Sequence, residues 1–169
     1  MSTQVPSTAG PQPRWLDDTE MQAWRGYIES HGALGVALEV DLAPHGLTMG
    51  DYEVLVRLSE SAGHQLRMCD LAGQLRLSPS GLTRRLDGLV HGGLVRREPS
   101  PCDRRVMLAT ITEAGLTTLQ AAAPGHVEAV RTHFLDHLTA AEVRAMASGF
   151  GKIRAALVSS TGNDDGNLR

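Results

Sequence analysis

The stretch from Ser78 to Leu94 sets the strongest limit on what this chain can fold into. It reads SPSGLTRRLDGLVHGGL, which begins with a helix-capping serine and a proline suited to the first helical position. Leucines at 82, 86 and 89 would give the helix one buried face. The two glycines are typical of a left-handed helix end. The stretch therefore predicts a short amphipathic helix with a sharp stop.

The periodicity on either side of this helix predicts its partners. A short helix over Met68 to Leu75 precedes it, across the tight turn RLSPS. The runs LVRREPS and RRVMLATI follow it and have β character, and the segment from Pro99 to Asp103 between them has the composition of a turn. This order predicts a helix-turn-helix followed by one β-hairpin, the wing.

Helical spacing predicts further helices on both sides of this region. On the N-terminal side, apolar positions from Asp17 to Leu42 indicate one long helix, and Thr48 caps another. On the C-terminal side, Thr112 caps one long helix, and TAAE from Thr139 matches a capping box that opens the last helix. The buried stripe expected for the helix after Thr112 consists of Leu116, Leu119, Ala123, Val127, Val130 and Phe134. The last helix has a heptad-like seam, suited to packing against another helix, which consists of Val143, Met146, Phe150, Ile153 and Leu157.

The charge of the chain is unevenly distributed. The 169 residues carry a net charge of −3, yet eight arginines and four acidic residues between His64 and Arg105 leave that region at +4 and the rest at −7. Screening limits the reach of distant acids to about 8 Å at physiological salt, so a local basic patch can attract phosphate. A merely solvated surface would have the same composition, so charge alone does not select between the two.

Bulk composition excludes several classes of protein. A hydrophobic content of 41% and a charged content of 21% are those of an ordinary globular domain. No apolar run approaches the roughly 20 residues of a membrane span, and the N-terminus does not have the pattern of a secretory signal. Two cysteines make no disulfide framework. We therefore expect a cytoplasmic protein without a membrane partner.

The run LSPSGLTRRLDGLVHGGLVRREPSPCDRRVMLATITEAG resembles the core of the MarR-type regulators. The family pattern combines a recognition helix, a GLV-R strand entry, Asp-x-Arg at the wing and LT-x-x-G at the next helix. The chain has GLVRRE, then Asp103, Arg104 and Arg105, then ITEAG, with Ile111 in place of the leucine. The resemblance extends over roughly residues 15–157.

The resemblance implies a mostly α fold: a homodimeric winged helix-turn-helix with long N- and C-terminal dimerisation helices. We expect a disordered arm over 1–13, an N-terminal dimerisation helix over 14–47 and a DNA-binding lobe over 48–111. C-terminal dimerisation helices over 112–158 and a flexible tail over 159–169 complete the chain. Two recognition helices would read half-sites of a pseudo-palindrome about 10 bp apart. The family also implies a repressor of transcription that a small ligand releases.

Residue types and family pattern together predict the contacts with double-stranded DNA. Short hydroxyl side chains and arginine on the exposed face of the capped helix can reach base edges and phosphates in the major groove. Arg85 is expected on a phosphate, Arg105 in the minor groove with Asp103 orienting it through a charge-assisted hydrogen bond, and Arg104 beside them. The predicted interface consists of Ser78, Ser80, Thr83, Arg84, Arg85, Asp103, Arg104 and Arg105.

A small-molecule effector is also implied, and its chemistry stays open. Trp24, Tyr27, His31 and Tyr52 could line a pocket for an aromatic ligand, because the family's cleft is built from these helices. Large side chains at helical spacing more often belong to plain core or dimer packing, which is the alternative interpretation of these four residues.

Four other interpretations have weaker support. His133 and His137 have the i, i+4 spacing of a metal pair on one helix, but further ligands are not obvious, so no metal or other cofactor is expected. Cys102 beside the wing arginines suggests redox control, although the oxidation-sensing branch of the family has its reactive cysteine near the N-terminus and residues 1–68 contain none. A winged helix can also bind protein, and the wing arginines argue against that. No catalytic motif is present, so an enzyme is not expected.

Overall fold

The computed structural model describes residues 13–161 and divides the chain into two units, one ending at Ala33 and one beginning at Leu34. The predicted arm lies outside the described residues except for Pro13, and so does the predicted tail beyond residue 161. The helices are α1 (Asp18–Leu42), α2 (Met49–Glu60), α3 (Met68–Leu75), α4 (Pro79–His91), α5 (Glu113–His133) and α6 (Ala140–Thr161). The strands are β1 (Gln65–Arg67), β2 (Val95–Pro99) and β3 (Met107–Ile111).

Side-chain caps fix where α2 and α4 begin. The Thr48 hydroxyl accepts from the Asp51 N–H (3.1 Å) while the Asp51 carboxylate accepts from the Thr48 N–H (3.0 Å), a complete capping box. The Ser78 hydroxyl accepts from the Gly81 N–H (3.1 Å), with proline next in the chain as predicted. Beyond the other end of α4, Gly93 takes a left-handed conformation at φ 70°.

The hairpin that the sequence predicted is confirmed as β2 and β3, and a short strand that it did not predict, β1, extends it to a three-stranded antiparallel sheet. Its order is β1-β3-β2, so β3 lies in the centre. The hairpin register pairs Val95 with Ile111 and Pro99 with Met107, and β1 adds Leu66 opposite Ala109. Three residues are too few to show strand alternation, which is why β1 escaped prediction.

One hydrophobic core holds α2, α3, α4 and the sheet together. The leucines predicted to be buried on α4 lie in it, beside fully buried side chains of α2 and α3. Its largest members with less than 2% exposure include Leu55, Leu58, Leu71, Leu82 and Leu86. Burial of such side chains stabilises a fold by roughly 1.5–3 kcal/mol each. This core fixes α4 and the wing within one lobe.

Helix α5 begins where the family-like motif ITEAG predicted. The Thr112 hydroxyl accepts from the Gly115 N–H (3.0 Å) and donates to the Gly93 carbonyl (2.7 Å). Gly115 itself lies against the Leu94 carbonyl oxygen, where a Cβ has no space. A glycine is therefore required for α5 to start this close to β2.

Two expectations for the C-terminal helices need correction. The buried face of α5 follows Leu119, Ala122 and Ala129, whereas Val127 of the predicted stripe is 57% exposed. Helix α6 continues to Thr161, into the segment predicted as a tail. Its capping box is confirmed: the Glu142 carboxylate accepts from the Thr139 N–H (2.7 Å) and hydroxyl, and these bonds lower the pKa of Glu142. Among the described helices, none combines the length and hydropathy that a bilayer crossing requires.

Candidate nucleic-acid interface

The exposed face of α4 presents the residues that the sequence assigned to the major groove. Ser80, Thr83 and Arg84 are exposed, opposite the buried leucines. The Arg84 guanidinium has neither a hydrogen bond nor an ion pair within residues 13–161. An exposed cation of this kind retains all of its donors for an anionic partner.

The hydroxyl groups at the start of α4 are partly engaged by the helix itself. Besides its cap bond, the Ser78 hydroxyl shares a hydrogen bond of 3.2 Å with that of Ser80. The Thr83 hydroxyl donates to the Pro79 carbonyl (3.0 Å). Ser78 therefore has a structural role as the cap of α4. The hydroxyls of Ser80 and Thr83 are held at fixed positions on the surface of the helix by their hydrogen bonds.

The Arg85 side chain lies against α2 and not with Arg84 on the exposed face of α4. It is half-buried, and its guanidinium occupies the space that a side chain at Gly50, in the first turn of α2, would need. The sequence predicted Arg85 beside Arg84 as a DNA-facing pair. Because consecutive helical side chains diverge by about 100°, the two arginines meet different surroundings.

The wing tip is an ordered turn with exposed arginines. The Ser100 N–H donates to the Val106 carbonyl (2.7 Å), and the Val106 N–H donates to the Asp103 carbonyl (2.9 Å). The Asp103 carboxylate accepts from the backbone N–H of Arg105 (2.9 Å). Asp103 was expected to orient the Arg105 guanidinium, but its side chain instead orders the turn, as Asp does when it bonds the backbone two residues on.

Two of the eight arginines of the basic region are neutralised by ion pairs. The Arg97 Nη2 atom lies 2.7 Å from Asp87 Oδ1 and joins β2 to α4. The Arg96 Nε atom lies 3.2 Å from Glu98 Oε1. The other six have no carboxylate within ion-pair distance in the described part of the chain: Arg67, Arg76, Arg84, Arg85, Arg104 and Arg105. The predicted basic patch thus keeps most of its charge.

The four aromatic and histidine residues proposed for a ligand pocket fall in both units. Within the first, Trp24, Tyr27 and His31 form a row on α1, with ring centroids 6.1 Å and 5.9 Å apart along it. Tyr52 belongs to the second unit. A pocket that joins all four stays a prediction.

Tyr52 packs on a residue that the sequence did not single out for this role. Its ring centroid lies 4.4 Å from that of His126 on α5. The His126 Nδ1 atom is buried without a hydrogen-bond partner in the described residues. Burial lowers the pKa of His126, against an opposing effect of Asp41, and burial raises the pKa of Tyr52. The sequence does contain one signal for this contact: His126 lies four residues after Ala122 and three before Ala129, which is the helical spacing of the buried face of α5.

The histidine pair has a different geometry from the one predicted. Helix α5 ends at His133, and Phe134 leaves the helix at φ −134°. His137 closes a 3-10 turn, so the two histidines do not share a helix face. Cys69 and Cys102 are both exposed free thiols, and redox control through Cys102 stays a prediction.

Comparison with known proteins agrees with this geometry. The MarR family model matches residues 47–107. AbsC, a MarR family regulator of Streptomyces coelicolor, is 44% identical over 87% of this chain and 99% of its own, with a TM-score of 0.81. Sco3205 of the same organism, solved in complex with DNA, is 35% identical over 85% and 94%, with a TM-score of 0.79. The transcriptional repressor YetL of Bacillus subtilis is 27% identical over 72% of this chain and 74% of its own.

A mostly helical fold with a small antiparallel sheet and an exposed cationic face on α4 and the wing defines a winged helix-turn-helix, DNA-binding transcriptional regulator. The chain belongs to the MarR family. The relatives named above are transcriptional regulators rather than enzymes.

Proposed function

We propose that this regulator binds a pseudo-palindromic operator as a homodimer and represses transcription until a small molecule releases it. The observation that carries the DNA-binding part is a set of exposed guanidinium groups, on α4 and the wing tip of one lobe, that have no ion pair within the described residues: Arg84, Arg104 and Arg105. The chain as a whole is acidic, so this concentration of free cations on one lobe is what phosphate recognition requires.

Each side chain has a role in this proposal. Arg84, with Ser80 and Thr83, contacts base edges and phosphates in the major groove. Ser78 caps α4 and so directs the N-terminus of this helix towards the phosphate backbone of the DNA. Arg105 enters the minor groove, whose narrow form attracts arginine, and Arg104 contacts the adjacent phosphates. Asp103 keeps the wing turn in the conformation that presents both.

A second copy of the chain is the partner that α6 requires. Ile153 on its predicted seam is 56% exposed, a costly arrangement for a large apolar side chain in a monomer. A C2 dimer that covers this seam would place two α4 helices at the spacing of one DNA turn. The N-terminal dimerisation helix would contribute through α1.

Repression and release by an effector complete the proposal. The relation to the repressor YetL supports a negative role. The aromatic row on α1 supports a small effector that carries an aromatic ring, which would bind beside the dimerisation helices and change the separation of the two lobes. Such a regulator works on the chromosome, which places it in the cytoplasm.

A footprint on the DNA upstream of the chain's own gene tests this proposal. We expect protection of two half-sites about 10 bp apart, and loss of protection when an effector from a panel of phenolic compounds is added. Protection of one half-site only would contradict the dimer, and uniform protection of all sequences would contradict operator recognition.

A further inference from the structure

The two adjacent arginines of α4 have different surroundings, and the difference indicates that the two side chains have different functions. Arg84 is exposed and unpaired within the described residues. The Arg85 guanidinium rests on the backbone of α2 at Gly50, in the place where a Cβ would stand. No carboxylate in residues 13–161 lies within ion-pair distance of Arg85, so this contact is one of shape rather than of charge.

Gly50 leaves open the space that the Arg85 guanidinium occupies. It lies between Thr48 and Asp51, whose capping box fixes the first turn of α2. Any side chain at position 50 would overlap the Arg85 guanidinium. A glycine has no φ requirement at this helical position and lowers helix stability by roughly 0.5–1 kcal/mol relative to alanine, so local propensity gives no reason for it.

The contact lies beside the packing that sets the orientation of α4. Leu82 and Leu86, which precede and follow Arg85 on the helix, are buried with Leu55 of α2 in the same core. The Arg85 guanidinium adds a contact with α2, at Gly50, to this packing between the two helices. A rotation of α4 about the leucine row would move the Cα atom of Arg85 relative to Gly50 and so change this contact.

We infer that Arg85 is a positioning residue. Through its contact with Gly50 it sets the angle at which α4 enters the major groove, whereas Arg84 contacts the DNA itself. This inference rests on the proposed DNA binding. The competing assignment is the phosphate contact that the sequence predicts for Arg85. The two assignments differ in salt dependence, because each phosphate contact contributes about one to the salt slope of binding.

The test measures fluorescence anisotropy with the operator duplex and with a scrambled duplex, between about 50 and 200 mM salt. The variants are Gly50→Ala, Arg85→Ala and their combination, with Arg84→Ala for comparison. Gly73→Ala is the matched control, because Gly73 is a helical glycine of the same lobe with open space where the added methyl group would lie. Circular dichroism establishes that each variant is folded.

We expect Gly50→Ala and Arg85→Ala each to lower the ratio of operator to scrambled affinity by about tenfold, with the salt slope unchanged. The combined variant should lose no more than Arg85→Ala alone, because alanine at position 50 acts only by displacing Arg85, and coupled residues are not additive. Arg84→Ala should lower the salt slope by about two, because each copy of the chain in the dimer loses one phosphate contact. Gly73→Ala should match wild type.

Arg85→Lys separates shape from charge. Lysine keeps a cation for a phosphate but lacks the planar group that covers Gly50. We expect it to lose operator preference as Arg85→Ala does. Wild-type behaviour of Gly50→Ala, or a salt slope that falls by about two in the Arg85→Ala dimer and returns in Arg85→Lys, would overturn the inference alone. A wild-type protein indifferent to salt and sequence would overturn the proposed DNA binding and this inference with it.

Discussion

Asp87 of α4 and Arg97 of β2 form an ion pair of 2.7 Å that ties the helix proposed to enter the major groove to the wing. The Arg97 side chain is 28% exposed and that of Asp87 is 59% exposed. This pair connects, outside the hydrophobic core, the two elements that are proposed to face DNA. It also removes one arginine from the set available to phosphate.

Asp87→Asn should therefore weaken operator binding more than it weakens the fold. A partly exposed pair contributes about 0.2–1 kcal/mol to stability, so the free energy of urea unfolding should change by no more than that. Operator affinity should fall further, because the wing is no longer held against α4. Equal affinity of Asp87→Asn and wild type in a gel-shift titration would show that the pair has no part in presenting the wing. Glu53→Gln, which breaks the exposed pair with Arg57, is the matched control.

The Tyr52–His126 contact should make stability depend on pH. The pKa of His126 is lowered by burial in the folded protein, so the folded state binds its proton less readily than the unfolded state does. The stability that this neutral imidazole contributes is present above the unfolded pKa, about 6.5, and is lost as the pH falls below it. Urea unfolding at pH 7.5 and 5.5 should show a loss that is smaller in His126→Phe. His133→Gln, at an exposed histidine, should retain the wild-type loss, and an identical loss in His126→Phe would assign the effect to other groups.

Arg105→Ala tests the wing. Each lost groove contact should weaken operator binding by about 1–3 kcal/mol, with the thermal midpoint unchanged because the side chain is exposed. A gel-shift titration measures the change. Arg57→Ala, which removes an exposed arginine of α2, should have little effect, and equal losses in both variants would point to a non-specific effect of net charge.

Ile153→Lys tests the seam of α6. A charge at a position that a second copy covers would be buried without a partner, which is costly, so the dimer should dissociate at low micromolar concentration. Light scattering gives the mass directly. Ser148→Lys places the same charge on an exposed residue outside the predicted seam and should leave the dimer intact. A dimeric Ile153→Lys protein would place the dimer contact elsewhere.

Local chemistry explains which features the sequence could predict. The start of α4 depends on Ser78 and Pro79, and the start of α5 on Thr112, so a few adjacent residues determine each boundary. The buried leucines of α4 follow from helical spacing in the same way. Strand β1 depends on pairing with β3, more than forty residues later, and three residues show no pattern of their own.

The contacts that adjust the proposed interface have no local signature. Arg85 reaches Gly50 across two helices, and Asp87 reaches Arg97 across ten residues of chain. His126 meets Tyr52 only because α5 packs on α2. The sequence predicts that such residues are present in the region, whereas their partners follow from the tertiary packing.

The central claim is that the chain binds duplex DNA through the arginines of α4 and the wing. The salt dependence of its binding to the DNA upstream of its own gene tests this claim most directly. If the free arginines of α4 and the wing bind phosphates of a duplex in two copies, affinity should fall by about 10³-fold or more between 50 and 200 mM salt. A scrambled duplex should bind more weakly at every salt concentration, and Arg84→Ala with Arg105→Ala should flatten the slope. Equal affinity for both duplexes, unchanged across this range, would contradict the account.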